Sequence, residues 1–149
     1  LTPSRNSNKL CIINKKEVRA VKKITTRKAV LLCLNAALEK KAKNLVVLNV
    51  KKLSYLADYF LICSGTSDRQ VQAISSSIEE NMKKAGLLPA GIEGDRIGKW
   101  VLMDYYDIVV HVFLEPVREY YDIERLWSEA PRMEVAEDIT EVKALRKGL

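Results

Sequence analysis

Two short apolar stretches, Trp100-Val101-Leu102-Met103 and Ile108 to Leu114, flank Asp104-Tyr105-Tyr106-Asp107, a pattern that predicts two strands joined by a tight turn. Side chains alternate across a strand, and a two-residue turn near Tyr105 to Asp107 pairs odd positions of the first strand with even positions of the second. One face therefore collects Val101, Met103, Ile108, Val110 and Val112, an ordinary core surface. The other collects Trp100, Leu102, Asp104, Val109, His111 and Phe113, mixing large aromatics with a carboxylate and the single histidine of the chain. Two readings fit this second face: a sheet buried on both sides, or a surface that helices cover incompletely and a partner completes.

Elsewhere the pattern alternates between helical and extended periods. Thr25 or Thr26 can cap a helix to about Lys41, with Val30, Leu31, Leu34 and Leu38 on one face and Lys40 and Lys41 at its negative end. Leu45 to Val50 reads as a buried strand, and Asp58 to Cys63, almost wholly apolar, as a central one. Gly65-Thr66-Ser67 turns the chain into a second helix in which Ser67 and Gln70 have capping-box spacing. Val71, Ile74, Ile78, Met82 and Ala85 form its buried stripe, and Gly86 its stop. Glycine-rich residues 86–98 read as loop with a short strand at Gly91 to Glu93. After the hairpin, Pro116 suits the first turn of a short helix, and Asp122 can cap another that turns Ile123, Leu126 and Trp127 inward. Pro131 ends it, and residues 132–149, charged with sparse apolar positions, fit a solvated helix or a frayed tail. The order predicts a single α/β domain over residues 26–131, with a mixed β-sheet and flanking helices.

Charge looks at first like a nucleic-acid signal, since the net value is +6. Its location changes that picture. Residues 1–26 hold seven basic side chains against Glu17, whereas residues 27–149 hold 18 basic and 18 acidic ones, so the folded body is neutral. A phosphate-binding footprint therefore does not follow for the domain. Residues 1–25 read as a basic flexible arm, a composition shared with organelle transit peptides. No apolar run approaches the ~20 residues of a membrane span. Cys11, Cys33 and Cys63 are odd in number and lack Cys-x-x-Cys spacing, which indicates neither a disulfide framework nor a zinc site.

Candidate chemistry is sparse. Cys63 with His111 offers a thiol and a base without a third orienting group. Asp104 and Asp107 bracket the turn and could hold magnesium for nucleotidyl transfer, although Asp is also a common turn former. Gly65-Thr66-Ser67 could offer amides to a phosphate, and a capped turn explains the same residues. Arg69 sits in the first turn of a helix, unfavourably for the dipole, and Trp100 opens a strand beside residues of exposed type. Arg and Trp are favoured interface anchors, and Trp100 is the first candidate for one.

Three segments carry a resemblance: Ala57 to Gln70 (ADYFLICSGTSDRQ), Trp100 to Phe113 (WVLMDYYDIVVHVF) and Val117 to Trp127 (VREYYDIERLW). In this order they resemble the ribosomal silencing factor, or Iojap, family over about residues 27–131. The resemblance implies a nucleotidyltransferase-like fold without catalytic carboxylates. It further implies binding to the large ribosomal subunit through its fourteenth protein, which sterically blocks joining of the small subunit and represses translation; organelle relatives act in large-subunit assembly. Departures are Tyr106 where the family commonly has Gly, Asn49 for a frequent Asp and Lys52 for a frequent Gly.

The expectation is thus a non-enzymatic factor that needs no cofactor or metal and recognises neither a membrane nor a specific nucleic acid. Trp100 and Leu102 would supply apolar burial, Asp104 and Glu115 would meet basic side chains of the ribosomal partner, and Arg69, Tyr105 and His111 would rim the patch. A cytoplasmic location follows, or a mitochondrial or chloroplast one if residues 1–25 are a transit peptide, and a homodimer is compatible with it. The alternatives are a nucleotidyltransferase-like enzyme using Asp104 and Asp107, and an RNA binder led by residues 1–26.

Overall fold

The computed structural model describes residues 24–149, so the basic arm, apart from its last two residues, and Cys11 lie outside the described residues. Helix α1 spans Thr26–Glu39, followed by strands β1 (Lys43–Asn49) and β2 (Tyr59–Gly65) and helix α2 (Asp68–Lys84). Strands β3 (Gly91–Glu93), β4 (Trp100–Asp104) and β5 (Ile108–Leu114) come next, then short helices α3 (Glu115–Tyr121) and α4 (Ile123–Leu126) and strand β6 (Arg132–Glu134). The six strands form one mixed sheet in the order β3-β4-β5-β2-β1-β6. Among the described residues only β2 and β5 pair in parallel. They occupy its centre, as the nearly continuous apolar sequence of β2 predicts.

Local chemistry starts and stops these elements. The Thr25 side chain accepts from the Lys28 amide and the Ser67 side chain from the Gln70 amide, each satisfying a donor freed at a helix start. The capping box is displaced by one residue, because the Gln70 side chain reaches back to the Thr66 amide (2.7 Å). The stripe Val71, Ile74, Ile78 and Met82 is fully buried, and Gly86 takes the left-handed conformation (φ +83) that ends α2.

The inner face of the sheet, under α1 and α2, carries Leu45, Val47, Leu61, Cys63, Val101, Met103, Val110 and Val112. The outer face carries Val46, Leu48, Ile62 and Phe113, packed with Phe60, Trp100, Val109, Val117, Ile123 and Trp127. The hairpin register pairs Trp100 with Phe113, Leu102 with His111 and Asp104 with Val109, as the parity argument requires. Tyr106 and Asp107 form its turn, closed by the Tyr105 amide donating to the Ile108 carbonyl (2.8 Å), and Tyr106 adopts φ +69. A positive φ at the first central position is what glycine supplies without strain.

Three expectations change here. Leu126 is 78% exposed, so α4 does not turn it inward. Asp122 makes no side-chain cap and instead takes a left-handed conformation (φ 44) that redirects the chain between α3 and α4. Residues 132–149 form neither a solvated helix nor a frayed tail: Arg132–Glu134 adds an edge strand to β1, and Val142, Leu145 and Leu149 are buried. Asn35 fixes that stretch by donating to the Val142 carbonyl (2.9 Å) and accepting from its amide (2.7 Å).

Candidate functional site: the aromatic outer face of the hairpin

Trp100 reaches its position through a loop that glycine makes possible. Gly98 has φ +75, and a Cβ there would stand 2.7 Å from the Asp68 carbonyl at the start of α2. Gln72 holds the same loop by donating to the carbonyls of Asp95 (3.1 Å) and Arg96 (2.9 Å). The exposed Arg69 thus stands on a helix turn that packs against the approach to Trp100.

The indole of Trp100 is held on several sides. It stacks on Phe113 (4.8 Å between centroids), meets Tyr121 of α3 (4.9 Å) and donates its Nε1–H to Nδ1 of His111 (3.2 Å). Beneath it, His111 meets Phe60 edge-on (5.4 Å), and Phe60 meets Trp127 (5.0 Å). Aromatic edges and faces in these arrangements attract beyond their area burial.

Trp100, Leu102 and Asp104 follow one another along the outer row of β4, and all three remain partly exposed. On the neighbouring edge strand, exposed Glu93 pairs with Leu102 and Gly91 with Asp104, and a Cβ at Gly91 would meet nothing within 4 Å. The result is an apolar centre flanked by carboxylates and left open at the β3 side. Asp104 Oδ1 accepts from the Tyr106 amide (2.8 Å), so this carboxylate also braces the turn.

Other candidates separate from this row. His111 is 6% exposed and lies under Trp100, so it is buried support and not rim. Burial lowers its pKa to about 4, because a charged imidazole would lose its hydration there. Tyr105 is 7% exposed on the inner face, one step further along the parity of Val101 and Met103, and does not join the patch. Burial raises its hydroxyl pKa, with Cys33 and Glu79 adding to the effect. Glu115 lines a different cleft, of about 360 Å³, with Ser64, Arg118, Glu124 and Arg132. There Arg118 donates to Glu124 (2.9 Å), Ser64 Oγ (2.8 Å) and the Asn44 carbonyl (2.8 Å), and Arg132 meets Glu124 at 3.0 Å. Burial alone would raise the Glu124 pKa, but the two guanidinium groups outweigh it and hold the carboxyl below its usual value.

The groups considered for chemistry are held apart or already bonded. Cys63 lies on the inner face and His111 on the outer, so the sheet itself separates thiol from base. Burial pushes both Cys33 and Cys63 up to about 12, which keeps them protonated at neutral pH. Among the described residues no cluster of three His, Cys, Asp or Glu side chains is placed to hold a metal ion. At the turn of Gly65 to Ser67 the Thr66 amide is bonded to the Gln70 side chain and the Gln70 amide to Ser67 Oγ, so these two donors are already used. No described helix is long and apolar enough to cross a membrane.

Comparison with known proteins decides which family the chain belongs to. Residues 23–148 match the family described as "Ribosomal silencing factor during starvation". The chain belongs to the ribosomal silencing factor family. It is 44% identical over 104 residues to "Ribosomal silencing factor RsfS" of Halalkalibacterium halodurans, covering 70% of this chain and 89% of that one. It is 36% identical over 104 residues to "Protein Iojap, chloroplastic" of Zea mays, covering 69% of this chain and 45% of that longer one. "Mitochondrial assembly of ribosomal large subunit protein 1" of Mus musculus is 32% identical over 93 residues, or 60% of this chain and 41% of the mouse protein. A crystal structure of a Chromobacterium violaceum protein superposes with a TM-score of 0.70 at 36% identity, covering 78% of this chain and 98% of that one. A Bacillus halodurans structure does so at 0.65 and 41%, covering 72% and 98%.

Two residues of this face escape a reading of the hairpin alone. Tyr121, 53% exposed and packed on Trp100, is signalled by its spacing of four from Val117, which puts both on one side of α3. Glu93 needs the β3–β4 pairing, and a three-residue strand among glycines does not announce its register.

Proposed function

We propose that this silencing factor acts without catalysis, by docking on the large ribosomal subunit through the outer row of β4 and excluding the small subunit by its bulk. The partner surface is the fourteenth large-subunit protein. Trp100 and Leu102 give up apolar area to it, and Asp104, with Glu93 beside it, faces its basic side chains. The observation that carries this reading is the half-covered aromatic row, partly exposed in a chain whose family is named for ribosomal silencing. A neutral domain with a local acidic and aromatic surface suits a basic protein better than bare RNA. The same docking serves subunit assembly, the role printed in the name of the mouse relative. The protein works in the cytoplasm, or in an organelle where residues 1–25 act as a transit peptide.

Co-sedimentation with purified large subunits tests the proposal. Trp100→Ala should weaken binding by about 30-fold or more, the scale of a central aromatic anchor. Because that indole also packs against Phe113, Asp104→Asn supplies a second test: it keeps the acceptor for the Tyr106 amide, removes the charge and should weaken binding most at low salt. Wild-type binding by both folded variants would refute the site.

A further inference from the structure

The Trp100–His111 pair contains an imbalance. An indole N–H can only donate, so Nδ1 of His111 must carry a lone pair, and a neutral imidazole then bears its proton on Nε2. That Nε2 is buried and has no hydrogen-bond partner. A buried donor without an acceptor is costly, and an apolar ring of similar size would fill the same space without it. The imidazole therefore has to contribute something through its other nitrogen.

The register shows what that is. Trp100 stands opposite Phe113, and His111 stands opposite Leu102, so the Nε1–H···Nδ1 bond runs diagonally across the strand pair. It ties the polar edge of the indole to β5, while Phe113 and Tyr121 pack against the ring. With its only donor used internally, the indole offers a partner its ring surface alone.

We infer that His111 is the positioning residue of the docking face: as the Nε2–H tautomer it locks the Trp100 indole with its N–H spent inside the domain, so that what it offers the partner beside Leu102 is apolar ring surface. Contacts to that ring are then apolar side chains or cations seated over the π face, not acceptors seeking the indole N–H. This inference rests on the docking reading for its binding consequence, but the pair itself can be tested without a ribosome.

The chain has one histidine, so the imidazole nitrogen resonances of untagged, isotope-labelled wild type report the tautomer directly. Protonated Nε2 and unprotonated Nδ1 are expected, and the reverse would overturn the inference. His111→Phe keeps a ring and removes the acceptor, whereas His111→Asn places an amide oxygen near the position of Nδ1. In His111→Phe the Trp100 indole N–H resonance, assigned by its loss in Trp100→Phe, should shift and exchange faster with solvent. Large-subunit affinity should fall roughly tenfold, and His111→Asn should restore part of both. Unchanged indole signal and affinity in folded His111→Phe, or equal losses in both variants, would overturn the inference. If Trp100→Ala binds as wild type, the docking reading fails, and the tautomer and indole signals still decide the pair.

Discussion

Arg118→Met isolates the charged network that fastens the outer helices to the sheet. The Arg118 side chain is 11% exposed and donates to Glu124, Ser64 Oγ and the Asn44 carbonyl, which joins α3 to α4, β2 and β1. Methionine retains most of the packed stem and removes all three bonds. Breaking a buried ion pair by deleting one partner costs about 3–5 kcal/mol when the survivor is left alone. Glu124 keeps Arg132 at 3.0 Å, and Arg132 is 41% exposed, so solvent screens what remains. The expected loss is therefore smaller, about 2–3 kcal/mol, or roughly 10 °C in Tm for a domain of this size. Urea unfolding at pH 7 measures it. The pH dependence supplies a second check: the Glu124 pKa is lowered from 4.5, so its contribution is complete above that value and is lost as pH falls through the folded-state pKa. The difference between wild type and variant should shrink below pH 4.5, and titration of His111 cancels because it is common to both. A loss under about 0.5 kcal/mol at pH 7, or one that persists undiminished in acid, would refute the account of this network.

The other stability predictions concern the docking hairpin. His111 has its pKa lowered from 6.5 to about 4, so unfolding takes up a proton in between; the stability it confers is present above 6.5 and is lost as pH falls through the folded value. About 2 kcal/mol should disappear between pH 7 and pH 5 in wild type and not in His111→Phe, measured as urea midpoints; equal slopes would contradict the buried neutral imidazole. Tyr106→Gly should stabilise the domain by about 0.5–1 kcal/mol, because it relieves a positive φ at an exposed turn residue and offsets the added freedom of the unfolded chain. A drop in thermal midpoint would show that the Tyr106 ring contributes more than its backbone costs.

The two faces of the hairpin were legible because alternation and a two-residue turn leave no freedom: once Tyr106 and Asp107 turn the chain, Val101 must join Val112 and Trp100 must join Phe113. Tyr105 was legible by the same rule, since it shares parity with Val101 and Met103; nearness to the turn is a weaker guide than alternation. The burial of His111 was not. It depends on where α3 lands and on Tyr121 lying over Trp100, contacts between segments whose separation in space no local period encodes. Leu126 misleads for a related reason. A four-residue helix entered through a left-handed Asp122 makes barely one turn, too little to present a stripe. The stretch after Glu134 defeats periodicity altogether, because side-chain bonds from Asn35 and the isolated apolar residues Val142, Leu145 and Leu149 hold it without regular structure.

The unequal helical layers explain why the outer row of β4 stays partly exposed. Six strands at about 4.8 Å spacing make a sheet roughly 24 Å wide, and a helix with its side chains covers about 10 Å of it. On the inner face, α1 and α2, with 14 and 17 residues, lie side by side and cover most of that width. On the outer face, α3 and α4 have 7 and 4 residues, and their buried contacts reach Phe60, Phe113 and β1. That single narrow layer lies over β5, β2 and β1 and leaves β4 and β3 largely uncovered. Closing the gap within the chain would take a longer helix after β5. Tyr121 instead stops at Trp100, where Asp122 turns the backbone away, so the apolar surface of Trp100 and Leu102 is left partly uncovered by the chain's own helices.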